Sequence, residues 1–67
     1  MRNPYRKLVQ RLREEFEDTP GLRLTVDEAS RFWALDELTC ELVLTELAIQ
    51  GFLARGVDDR FQIYAAA

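Results

Sequence analysis

Few residues in this chain are of a type that does chemistry. Cys40 is the one thiol, Ser30 is a hydroxyl on an otherwise helical stretch, and carboxylates stand next to each other at Glu14-Glu15, Asp27-Glu28 and Asp58-Asp59. The 67 residues contain no His. Without an imidazole there is no Cys–His dyad and no Ser–His–Asp triad, and Ser30 has no base beside it. One Cys makes neither an internal disulfide nor a Cys-rich zinc site. As a core-facing thiol with no basic neighbour, Cys40 reads as a small hydrophobe rather than a nucleophile. Sequence-adjacent carboxylates diverge on regular elements instead of converging on one atom. Asp58-Asp59 falls in a turn, where Asp bonds nearby backbone N–H groups, and a hard cation needs several converging oxygens. The expectation is a protein that is not an enzyme, with no metal, no cofactor and no small-molecule substrate.

The elements that carry these residues follow from periodicity and punctuation. Asn3-Pro4 is a cap followed by a favoured first helical residue. Tyr5, Leu8, Val9, Leu12 and Phe16 then form one apolar helical face, and Thr19-Pro20-Gly21 stops it. This predicts a helix over 4–18. Leu22-Arg23-Leu24 alternates and predicts a short strand over 22–24. Thr25-x-x-Glu28 is a capping box opening a helix over 26–34, with Val26, Ala29, Phe32 and Trp33 along one side. Ala34-Leu35 makes a turn, Asp36 caps a third helix over 37–50, and Gly51 ends it. A hairpin over 52–64 follows, with Gly56–Asp59 as its turn and Phe61 and Ile63 on one face. Residues 65–67 read as a frayed tail. The predicted order is α-β-α-α-β-β, an α+β domain over 1–67 in which three helices pack on a small antiparallel sheet.

Composition bounds the rest. Hydrophobic residues make up 48% and charged residues 31%, which suits a globular domain and not a disordered one. No apolar run approaches a membrane span, and the lone Cys suits a reducing compartment, so a cytoplasmic location is expected. The formal charge is −3, which counts against general nucleic-acid binding. Its distribution is uneven. Residues 1–13 hold Arg2, Arg6, Lys7, Arg11 and Arg13 and no acid, while residues 14–67 hold four basic and 12 acidic side chains.

This order of elements resembles the winged helix-turn-helix superfamily, in particular its small bacterial-type domains. The resemblance is carried by Leu24-Thr25-Val26-Asp27-Glu28-Ala29-Ser30-Arg31 through Leu35, and by Glu46-Leu47-Ala48-Ile49-Gln50-Gly51-Phe52-Leu53. In such motifs a small residue, here Ala29, lets the second helix approach the third. Leu35-Asp36 resembles the turn and cap leading into the recognition helix. Leu47, Gly51, Phe52 and Leu53 resemble the passage from that helix into the wing. The match covers about residues 20–64, and the first helix fits as the usual leading helix. Such turns often carry Gly where this chain has Ala34, which is tolerable unless the backbone needs a positive φ. The resemblance implies a role in transcription regulation, through DNA or through protein contacts.

The third helix has the wrong residues for reading DNA. Its outward face should offer Arg, Lys, Asn or Gln to bases and phosphates. Instead residues 36–50 contain Asp36, Glu37, Glu41 and Glu46, with no Lys or Arg. Beside phosphates these carboxylates would repel and would release no counterions. Cys40, Val43, Leu44 and Leu47 form a core face, while Leu38, Leu42 and Ile49, with Thr45 between them, form a second apolar stripe opposite. Either the first helix or the Trp33 region covers that stripe, or a partner does. Trp33 itself completes the core or serves as an exposed interface anchor. The expectation is a non-enzymatic interaction module, homodimeric or bound to a protein partner, contacting through Leu38, Leu42, Thr45, Ile49 and Trp33. The alternative is a DNA-binding regulator using Arg55 and Arg60 of the wing with Arg2, Arg6 and Lys7. The basic end also reads as a solvated face or as a contact for an acidic partner surface.

Overall fold

The computed structural model describes residues 4–64. Helix α1 (Pro4–Asp18) buries Leu12 and Phe16 and half-buries Leu8 and Val9, the face that the 3.6-residue period assigns to the core. The Thr19 amide closes it by donating to the Glu15 and Phe16 carbonyls at 3.2 and 3.3 Å. The chain then tightens, with the Leu22 amide donating to Thr19 O at 2.9 Å. That turn corrects the strand expected over 22–24. Only Leu24 pairs, as an isolated antiparallel bridge to Phe61.

Helix α2 (Val26–Trp33) starts on the capping box. The Glu28 amide donates to Thr25 Oγ1 at 3.1 Å, and the Thr25 amide donates to Glu28 Oε1 at 2.9 Å. The helix ends one residue before the predicted boundary because Ala34 leaves it at φ 55°, in the left-handed region. Positive φ is therefore required here, at a residue whose Cβ opposes it. Two bonds hold the turn. The Leu35 amide donates to Ser30 O at 3.0 Å, and the Ser30 hydroxyl donates to Leu35 O at 2.6 Å.

Helix α3 (Glu37–Ile49) is capped by Asp36, which accepts from the Thr39 amide at 2.9 Å and the Thr39 hydroxyl at 2.6 Å. It stops at Ile49, with Gln50 as its cap. Gly51 follows at φ 83°. The Phe52 amide donates to Leu47 O and the Gly51 amide to Ala48 O, both at 3.0 Å. This is the bond pattern of a Schellman cap, in which Gly meets the left-handed requirement without a Cβ penalty.

Strands β1 (Leu53–Arg55) and β2 (Phe61–Ile63) pair antiparallel in the register Leu53–Ile63, Ala54–Gln62 and Arg55–Phe61. The molecule is thus an α+β structure of three helices and a two-stranded antiparallel sheet among the described residues, in the order α-α-α-β-β. Its core takes Leu12 and Phe16 from α1, Ala29 and Trp33 from α2, Cys40, Val43, Leu44 and Leu47 from α3, and Leu53 and Phe61 from the hairpin.

Candidate interaction surface

Four core residues lie on one side of α3, and they point the opposite side away from the molecule. Steps of about 100° per residue place Leu38, Leu42, Thr45 and Ile49 within an arc of about 60°, directly opposite that core face. The exposures agree: Leu38 is 68% exposed, Leu42 52% and Ile49 77%, and Thr45 is exposed too. Neither α1 nor the Trp33 region covers the stripe. From α1, Tyr5 touches its edge, with its hydroxyl donating to the Leu42 backbone carbonyl at 3.1 Å.

Trp33 does not stand with these residues. It is 8% exposed and belongs to the core. Its ring lies 5.8 Å from that of Phe16, and its indole N–H donates to Glu15 at 3.3 Å. The expectation of Trp33 as an exposed anchor is corrected, because α2 is docked through this side chain. The exposed aromatic of α2 is Phe32, 59% exposed and edge-on to Trp33 at 5.3 Å. Phe32 lies 100° from Trp33 around the helix, and that offset was the signal that the two do not share a face.

The hairpin arginines are engaged within the chain. Arg60 forms a two-pronged pair with Glu28, Nη2 to Oε2 at 3.1 Å and Nε to Oε1 at 3.3 Å. It also reaches Asp58 at 3.4 Å. Asp58 accepts from Arg23 at 3.1 Å as well. Arg55 pairs with Asp59 at 3.4 Å and lies over the Phe61 ring at 5.0 Å. These bonds tie the hairpin tip to the start of α2 and engage both hairpin cations, Arg55 and Arg60. Such links between Glu28 and Arg60 were beyond local sequence patterns, since 32 residues separate them.

The basic end is only partly within view. Arg2 lies outside the described residues, while Arg6 and Lys7 are exposed on α1. With Tyr5 and Val9 of α1, Glu46 of α3 and its cap residue Gln50, Arg6 lines an open groove of about 360 Å³. The groove has one apolar wall residue, Val9, and otherwise polar tips.

Titration behaviour follows the same contacts. The Arg60 guanidinium, then the Thr25 amide, hold Glu28 below the usual carboxylate value. The Thr39 hydroxyl and amide do the same for Asp36. Asp58 is lowered chiefly by the Arg60 backbone N–H. Glu37 moves the other way, raised by a hydrogen bond and charge repulsion with Asp27. Burial raises the Cys40 thiol, with the Asp36 and Glu37 charges adding to it, so the reactive thiolate is disfavoured. Among the described residues no group of three His, Cys, Asp or Glu side chains is placed to hold a metal ion. Among them, too, no helix is long and apolar enough to cross a membrane. No protein-family model, no curated protein and no solved structure matches the chain.

Proposed function

We propose that this chain is a non-enzymatic interaction module of winged-helix type that associates with a second copy of itself through the outward face of α3. By resemblance its setting is transcription regulation, in the cytoplasm. The observation that carries the reading is the exposure of Leu38, Leu42 and Ile49 on one arc of a helix whose other side is core. Scattered surface hydrophobes need no explanation, but a row on one helix face marks a contact.

The positions also have the spacing of a helix–helix seam. Leu38, Leu42, Thr45 and Ile49 are separated by four, three and four residues, the alternation that keeps side chains on one line between two paired helices. Their exposed fractions amount to about two fully exposed side chains per copy, hence about four in the pair, about 6–12 kcal/mol of burial. That is of the same order as the roughly 4–15 kcal/mol cost of association. The dimer is therefore weak and depends on concentration.

A duplex-binding role has less support. Helix α3 offers acids where phosphates would lie, and Arg55 and Arg60 are already engaged by Asp59, Glu28 and Asp58. Sedimentation of the chain and of Leu42→Glu at matched concentrations tests the proposal. The unsubstituted chain should shift toward dimer as concentration rises, while the folded variant stays monomeric. Equal sedimentation of the two would overturn it.

A further inference from the structure

We infer that the two copies of α3 pair antiparallel about a two-fold axis, with Leu38 of each copy against Ile49 of the other and Leu42 against Thr45. This rests on the homotypic contact proposed above and adds its orientation and register. The first observation is the spacing itself. Four, three, four reads the same in both directions, so reversing one helix lays the stripe on itself without loss. A two-fold contact requires this self-complementarity, since residue i must meet j wherever j meets i.

The second observation is the charge beside the seam. Glu41 flanks it on one side and Glu46 on the other, and among residues 37–49 no cation accompanies them. In a parallel pair, the flanking residue of one helix faces the residue five further along on the other. Glu41 would then face Glu46 of the second copy, and the two-fold axis would repeat that repulsion on the other side. Antiparallel pairing matches like flanks instead. Glu41 comes beside Ala48 of the second copy and Glu46 beside Thr39, a hydroxyl-bearing residue. Charges next to a seam set orientation in this way, by penalising the alternative. Antiparallel helix dipoles favour the same choice.

The third observation concerns size. Helix α3 has 13 residues, about 20 Å at 1.5 Å per residue. A longer partner helix would overhang both ends of a stripe that runs from Leu38 to Ile49. A second α3 matches it end to end.

Disulfide trapping tests the orientation separately from the association. Leu38→Cys and Ile49→Cys are made as two variants, both at exposed positions, with tags of different mass. They are mixed in equal amounts and mildly oxidised, and the native Cys40, buried on the opposite face, serves as the background control in the unsubstituted chain. Random collision puts half of the trapped product in the mixed disulfide. The antiparallel register raises that share well above half. A share of half or less overturns the inference, and an excess of same-variant disulfides identifies a parallel pair. Sedimentation of the unsubstituted chain then separates the failures. If it dimerises while trapping fails, only the orientation and register fall; if it stays monomeric, the homotypic contact falls with them.

Discussion

At Ala34 the backbone asks for something the side chain resists. Its φ of 55° costs an L-residue about 1–2 kcal/mol, while Gly adopts it freely. The cost is held in place by the Ser30–Leu35 bonds on either side of it. Ala34→Gly should therefore raise stability by about 0.5–1 kcal/mol, after the greater freedom of Gly in the unfolded chain is subtracted. A higher urea midpoint with an unchanged slope is the expected result. The ionisable residues give a second prediction. Glu28, Asp36 and Asp58 have lowered folded pKa values. Their stabilisation is present above the unfolded-state values and is lost as pH falls through the folded ones. Glu37 is raised, so its contribution has the opposite sign and fades as pH rises through its folded value. With three groups against one, the unfolding midpoint should fall on acidification below about pH 4. Asp36→Asn keeps a good cap without the charge, and its midpoint should fall less steeply in acid. An identical acid limb would remove Asp36 from the account.

Helices α2 and α3 were legible from their caps, because a cap is a local device. Thr25 with Glu28, Asp36 with Thr39, and Gly51 with Phe52 all act within a few residues, and each sits where the pattern predicts. The strand at 22–24 failed because alternation cannot reveal that Leu22 is taken up by a turn to Thr19. The face of α2 was misjudged at Phe32, an aromatic at the edge of the arc rather than within it. The links from Glu28 to Arg60, Arg23 to Asp58 and Trp33 to Glu15 were out of reach, since each joins separate elements. Within the candidate site, the stripe of α3 was visible from spacing alone. What sequence left open was whether another element covers it, a question that only tertiary packing answers. This two-sidedness of α3 predicts a sharp contrast. Leu44 is fully buried and Leu42 half exposed. Leu44→Ala should cost about 2–5 kcal/mol of folding stability. Leu42→Ala, measured in dilute monomer, should stay within about 0.5 kcal/mol. Comparable losses from both would mean that the outward face is not free.

For the whole molecule, the placement of charge matters more than its total. The formal −3 divides into a basic first helix end and an acidic remainder, and α3 carries only acids. Two contacts are open to such a molecule, and they respond oppositely to salt. A contact of basic end to acidic body is screened and weakens. An apolar seam flanked by like acids keeps its strength or gains, because salt screens the repulsion between two net-negative copies. The apolar stripe predicts the second behaviour, with association undiminished as salt is raised through the physiological range. Weakening by salt would move the contact to the charged surfaces.

Homotypic association through α3 is decided by sedimentation of the unsubstituted chain across a concentration series into the high micromolar range. The expected result is a mass that climbs from one chain toward two. A mass fixed at one chain over the whole series would rule that association out.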